Sequence, residues 1–250
     1  MPFGLINKSI LIIKGENAAN LLDGLITQDI KLASENQPIY TLFLNNKGRV
    51  LFSSIIYMLE QNTFALEIED SLLMELAKHI HKFDLTKKVE FSKADDLQIA
   101  ICDTQHDKFY SDPRSDKLPY RSLVEKNSLE FNNDFTLEYE NSRLELTIPD
   151  NCDFIKEKTL ANDLNIESLN GISFNKGCYL GQEITSKTKH IRETKNKLIT
   201  LDNNKLKAQS NNLDIYLDDN KVGQTFSFNN QFVLAIIKRN ITNVDNLIIK

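Results

Sequence analysis

Strand-period and helix-period segments follow one another in this chain in an order that a doubly wound parallel sheet does not use. Ser9 to Lys14 is a short apolar run broken by Gly15. Ala18, Leu21, Leu22 and Leu25 then fall at i, i+3, i+4 and i+7 behind a possible cap at Asn17, which predicts a helix. Three β-like runs follow with no helix between them, at Tyr40–Leu44, Val50–Leu59 and Thr63–Ile68, and Asn45-Asn46-Lys47-Gly48 reads as a hairpin loop. A helix over Leu72–His81, capped by Ser71, sets Leu72, Leu73, Leu76, Ala77 and Ile80 on one face. Val89–Ser92 and Leu97–Cys102 are further strand candidates. Runs of strands flanked by helices predict an α+β sandwich. A polar stretch from Asp103 to Ser122, with a turn at Asp112-Pro113-Arg114, marks a boundary, and apolar alternation resumes around Asn141–Pro149. Short strands at Leu198–Leu201, Leu213–Leu217, Gly223–Ser227, Phe232–Lys238 and Leu247–Ile249 predict a small C-terminal β-barrel.

The 250 residues are 41% hydrophobic and 26% charged, the composition of an ordinary globular protein with material for a sizeable core. A net charge of −5 argues against general nucleic-acid binding. No apolar run approaches the roughly 20 residues that span a bilayer, so no membrane association is expected. The start, Met1-Pro2-Phe3-Gly4-Leu5, does not read as a signal peptide. Three cysteines, none spaced as Cys-x-x-Cys, leave at least one thiol unpaired, and a reducing, cytoplasmic setting is expected.

The run Asn175-Lys176-Gly177-Cys178-Tyr179-Leu180-Gly181-Gln182-Glu183 carries the chemistry. It sets a thiol between two glycines, beside Lys176 and ahead of a helix expected from Gly181-Gln182 through Lys189. A nearby cation and a helix N-terminus both favour the thiolate. A small buried hydrophobe in a tight turn is the alternative for Cys178, because free cysteines are among the most buried residues.

The longer segment from Gly171 to Glu183 closely resembles the signature of the YgfZ family of folate-binding, iron–sulfur-related proteins. Leu22-Asp23-Gly24-Leu25-Ile26-Thr27-Gln28-Asp29, Lys47-Gly48-Arg49 and Leu234-Ala235-Ile236-Ile237 resemble its N-terminal helix, its hairpin and its last barrel strands. The family shares the fold of the glycine-cleavage T-protein, a tetrahydrofolate-dependent aminomethyltransferase. The resemblance therefore implies an α+β, three-domain arrangement around a central folate hole: residues 1–35 with 103–192 as a discontinuous folate-binding domain, 36–102 as a ferredoxin-like domain and 193–250 as the barrel. It implies assistance to the assembly, repair or maintenance of iron–sulfur enzymes, tRNA-thiomodifying ones included, with iron–sulfur proteins or assembly factors as partners. Cys178 becomes the functional thiol and tetrahydrofolate the ligand, with Arg143, Glu145, Tyr139, Lys8, Lys176 and Gln182 as contacts. Glu145, in Arg143-Leu144-Glu145, would accept two N–H donors from the pterin edge.

Several positions depart from the pattern. Lys8 and Tyr139 stand where relatives carry Trp; Tyr139 can still stack and Lys8 can meet a glutamate tail. Thr147 replaces a motif glycine, and the Arg-Gly pair that often follows the signature is absent from Lys187-Thr188-Lys189-His190-Ile191-Arg192-Glu193. Phe52 and Ser53 occupy the place of the acidic pair that aminomethyl transfer needs, and neither is an effective acid or base. This speaks against the second reading, a tetrahydrofolate-dependent one-carbon transferase or demethylase. A third reading is an adaptor that has lost folate. The basic run Lys187, Lys189, Arg192, Lys195 and Lys197 suits an acidic partner or a solvated face. His79 and His81 lie at i and i+2 of a helix and do not converge on one ion.

Overall fold

The computed structural model describes residues 3–191 and 193–249; Met1, Pro2, Lys250 and Arg192 of the basic run lie outside them. The order is β1 (Phe3–Ile6), β2 (Ser9–Lys14), α1 (Ala18–Asp23), β3 (Ile39–Leu44), β4 (Val50–Glu60), β5 (Thr63–Ile68), α2 (Asp70–His81), β6 (Glu90–Lys93), β7 (Leu97–Cys102), β8 (Tyr120–Glu125), α3 (Asn133–Glu145), α4 (Gln182–His190), β9 (Asn196–Asp202), α5 (Asn203–Leu206), β10 (Asp214–Leu217), β11 (Asn220–Phe228), β12 (Phe232–Lys238) and β13 (Ile248–Ile249).

These strands form three sheets in the orders β3-β4-β5-β2-β6, β1-β7-β8 and β13-β10-β11-β12-β9, with every neighbouring pair antiparallel. The first sheet is buried on both faces, so its strands read as continuous apolar runs rather than alternating ones. On one face Phe43, Phe52 and Ile56 join Leu21 and Leu22 of α1 and Leu73 and Leu76 of α2. On the other, Tyr40, Leu42, Ile55 and Tyr57 meet Tyr139 and Leu144 of α3 and Leu198 and Leu234 of the C-terminal sheet. Sheet membership crosses the segments expected from sequence. β2, from the N-terminal segment, pairs with β5, whereas β7 leaves the 36–102 segment to sit between β1 and β8.

Two expected helix caps differ. Asn17 contributes its backbone carbonyl, which accepts from Leu21 at 3.0 Å, and no side-chain cap. α2 begins one residue ahead of Ser71, with Glu69 at the cap position and Asp70 in the first turn, where its charge complements the helix dipole. Residues 133–145 form helix α3, which takes in the start of the apolar alternation expected around Asn141–Pro149. Its buried stripe is Phe135, Tyr139 and Arg143 at i, i+4 and i+8, and the arginine in the third place conceals the apolar period. β8 was concealed in the same way, because its buried members include Arg121 and Ser122.

Candidate functional site

Three segments singled out from the sequence, more than a hundred residues apart at the extremes, meet at one place. The segment from Gly171 to Glu183 is pinned to the end of α1 and the loop after it. Ser173 N–H donates to the Thr27 carbonyl and Leu180 N–H to the Gly24 carbonyl, each at 3.0 Å. The Thr27 hydroxyl donates to the Gly171 carbonyl at 2.6 Å and also accepts from Leu42 N–H at 2.9 Å. The hairpin supplies the third side. Asn45 Oδ1 accepts from the N–H groups of Lys47 and Arg49, an Asx turn that fixes the loop. Gly48 (φ +66°) then packs against Gly181 (φ +86°), the residue ahead of α4. A Cβ on Gly181 would lie 2.7 Å from the Asn45 carbonyl oxygen and 3.2 Å from the Gly48 Cα. Both glycines are required by left-handed backbone and by contact.

Lys176 has a different task from the one its neighbourhood suggested. Its ammonium donates to the carbonyls of Asp23, Ile26 and Gln28 at 2.6, 3.0 and 2.9 Å and pairs with Asp23 Oδ1 at 2.9 Å, with the side chain 1% exposed. One carbonyl at the end of α1 and two in the loop after it thus find a donor, and the lysine ties the thiol loop down. Its charge is committed there, and burial lowers its pKa against the opposing pull of Asp23 and Asp29.

Cys178 sits on this braced loop and is exposed, two residues beyond the lysine. Gly177 has no atom within 4 Å of a notional Cβ, so the chain ahead of the sulfur is open to solvent. The other two thiols are held protonated. Burial pushes Cys102 up, and its Sγ donates to the Thr104 carbonyl at 3.0 Å. Cys152, an exposed residue, is pushed up to about 11 by partial burial and the carboxylates of Asp153 and Asp150, with Ser227 Oγ 3.3 Å away. Among the described residues no three His, Cys, Asp or Glu side chains converge as a metal site. Gln182 opens α4, where its backbone N–H donates to the Tyr179 carbonyl at 3.2 Å.

The remaining expected residues lie elsewhere, around an ionic network between the first sheet, the second sheet and α3. Arg121 of β8 grips both Glu67 oxygens (2.7 and 2.6 Å), donates to Tyr57 Oη at 2.8 Å and pairs with Asp112. Arg114 binds the same Asp112 through two nitrogens at 2.9 and 2.8 Å and donates to Tyr139 Oη at 2.6 Å. Burial alone would raise Asp112, but Arg114 and Arg121 hold it far below the carboxylate range. Lys8 pairs with Asp150 and lies 3.4 Å from Glu69. Burial would lower Lys8, and those carboxylates outweigh it and hold its pKa above the ordinary value. Arg143 donates to the Ile148 carbonyl and to Asp153 Oδ2, while Asp153 Oδ1 accepts from Ser227 N–H of β11, tying α3 to the C-terminal sheet. Glu145 is exposed at the end of α3. The structure therefore sets Lys176, Cys178 and Gln182 along one loop, draws Lys8, Tyr139 and Arg143 into the ionic network, and leaves Glu145 exposed at the end of α3. Arg114, Arg121, Glu67, Asp112 and Asp150 escaped the sequence reading; only the Asp112-Pro113-Arg114 turn gave a signal, as a turn.

At the place of the missing acid, Ser53 N–H donates to Asn151 Oδ1 at 2.7 Å and Asn151 returns a bond to the Ser53 carbonyl. Phe52 points to the opposite face, into the core under α2. Of the side chains expected at a folate, Lys8, Tyr139 and Arg143 are bound to internal partners. Glu145 and Gln182 alone keep side chains with no hydrogen bond to a described residue. As a set they do not fit tetrahydrofolate in the manner expected.

With strands, hairpin and thiol loop in place, the fold is that of an aminomethyltransferase. The glycine cleavage system aminomethyltransferase T from Bartonella henselae superposes with a TM-score of 0.68 over 95% of this chain and 78% of that one, at 10% identity. In sequence, the chain is similar to the mitochondrial iron–sulfur cluster assembly factor IBA57 of Mus musculus, 29% identical over 222 residues, covering 75% of this chain and 62% of the relative. The Homo sapiens IBA57 is 27% identical over 222 residues (76% and 62%), and the Coccidioides immitis homolog is 28% identical over 224 (74% and 53%). The chain thus spans 53–62% of the length of these relatives. No family model matches it. The expected cytoplasmic placement is corrected by these relatives, which are mitochondrial proteins and point to mitochondria instead. Among the described residues no helix is long and apolar enough to cross a membrane.

Proposed function

We propose that this chain assists the assembly, repair or maintenance of iron–sulfur proteins by presenting the Cys178 thiol to a partner that carries the cluster. The observation that carries the reading is the exposed sulfur on a loop braced by Lys176, Thr27 and the Gly48–Gly181 contact. The similarity to IBA57 supports it. A cluster usually takes four ligands, so one thiol is suited to transient contact in which the partner, or glutathione, supplies the rest. Enzymes that thiomodify tRNA are among the clients we propose. Tetrahydrofolate is given no step here, since Lys8, Tyr139, Arg143 and Lys176 are bound to internal partners and only Glu145 and Gln182 among its expected contacts are unengaged. The one-carbon transferase reading is disfavoured because Ser53 and Phe52 supply no acid or base.

The test is Cys178→Ala. An exposed side chain removed from a loop changes stability by no more than about 0.5 kcal/mol, so the variant folds like the parent. It is expected to fail to restore the activity of iron–sulfur enzymes in cells lacking the parent protein. Full restoration would sink the proposal.

A further inference from the structure

A cavity of about 420 Å³ opens where the segment following Asp153 meets β11 and β12, remote from the thiol loop in chain and in contacts. Its apolar wall is Ile155, Val222, Phe226 and Ile236, of which Phe226 and Val222 are buried. Three cations, Lys158, Lys221 and Lys238, line it, all on exposed residues. Lys221 pairs with Asp214 at 2.6 Å. Lys158 and Lys238 have no ion pair with a described residue, so two positive charges beside an apolar wall are left without a counter-charge.

Asp163 completes the wall and is 2% exposed. Its Oδ2 accepts from Leu160 N–H at 3.0 Å, which closes the turn at Ala161–Leu164. Among the described residues its buried Oδ1 has no hydrogen-bond partner. A buried carboxylate oxygen without a partner carries a desolvation cost that a ligand's N–H or O–H would relieve. Ligand pockets of a few hundred Å³ combine apolar walls with a few placed polar groups in this manner.

We propose that this cavity binds a small organic acid: an apolar ring body against Phe226 and Val222, an N–H or O–H group on Asp163, and an anionic group between Lys158 and Lys238. Burial pushes the Asp163 carboxyl up, against the opposing pull of the Leu160 N–H and of Arg49 and Arg239. Charge selects among candidates. A neutral ring compound gains nothing from the two lysines, and a cation meets them unfavourably.

The probe is 8-anilinonaphthalene-1-sulfonate, which carries an aromatic body, one N–H and one sulfonate. Titrated by fluorescence into the full chain, it is expected to fill one site. The double variant Lys158→Glu/Lys238→Glu alters only exposed side chains, and its fold is checked by circular dichroism. It is expected to weaken binding by roughly tenfold or more, and 0.5 M salt to weaken binding to the parent in the same sense. Ile155→Trp, which fills the mouth from an exposed position, is expected to abolish it. Uncharged N-phenyl-1-naphthylamine is expected to bind the parent and the double variant alike. Probe binding that survives both the charge reversal and Ile155→Trp overturns the proposal, as does failure of the probe to bind the parent. Neither outcome bears on Cys178, because none of these residues touches its loop.

Discussion

Two glycines of the thiol loop, four positions apart, are expected to respond to the same substitution in opposite ways. At Gly181, alanine must adopt φ +86°, and its Cβ would stand 2.7 Å from the Asn45 carbonyl oxygen and 3.0 Å from the Leu44 Cβ. Left-handed backbone costs an L-residue about 1–2 kcal/mol, and forcing a methyl into packed surroundings costs about 1–3 more. Gly181→Ala is therefore expected to destabilise by about 2–5 kcal/mol, which for a chain of this size lowers Tm by roughly 5–15 °C. At Gly177 there is no atom within 4 Å and no left-handed φ, so nothing in the fold requires glycine. Gly177→Ala is expected to fall between no change and a gain of about 1 kcal/mol, through the restricted unfolded chain. Thermal and urea unfolding of the two variants beside the parent measures both. Should Gly177→Ala prove as damaging as Gly181→Ala, the geometry of the loop drawn above is wrong. If Gly177→Ala is fully stable yet loses the rescue of iron–sulfur enzymes, the open backbone beside the sulfur is where the partner seats.

Arg121→Met leaves Glu67 and Asp112 short of a buried counter-charge, and a loss of about 3–5 kcal/mol is expected in urea unfolding; a change under about 1 kcal/mol would mean the network is hydrated. Cys152, with its folded pKa raised from 9.0 to about 11, binds its proton more tightly when folded, so its contribution to stability is whole below pH 9 and is lost as pH rises through 11. Cys152→Ser should flatten the stability–pH curve in that window. Iodoacetamide at pH 8 is expected to label Cys178 ahead of the buried Cys102 and ahead of Cys152, whose raised pKa leaves little thiolate at that pH, and labelling of Cys152 as early as Cys178 would contradict that shift.

Most strands were legible in the sequence because their residues are apolar by period or by run. The expected Phe232–Lys238 and Leu97–Cys102 are the observed β12 and β7, and β3, β4 and β5 differ by a residue at most. Of the elements that escaped, β1 and α5 are only four residues long, and α3 and β8 each turn a buried arginine toward the interior. A charge at a core position looks like surface until its partner is known, and Asp153 and Glu67 are far enough away in the chain to hide the pairing. The thiol loop was legible as a motif but not in its wiring. Lys176 stands two residues from Cys178, which suggested an electrostatic partner for sulfur, yet its side chain runs the other way to the carbonyls of Asp23, Ile26 and Gln28. Nearness in sequence sets a Cα distance and leaves direction open, and direction here is decided by three carbonyls, one at the end of α1 and two in the loop after it, that need a donor.

The arginine that joins β8 to β5 has a bearing on how the molecule comes apart. If the small β1-β7-β8 sheet separated first, Glu67 and Tyr57 would be stranded on one fragment and Arg121 with Asp112 on the other, each facing a surface built to be dry. Partial opening along that seam is thus penalised from both sides. The two sheets are therefore expected to melt as one cooperative unit, and a fragment ending at Cys102, which lacks Arg121, is expected not to hold the fold of the whole.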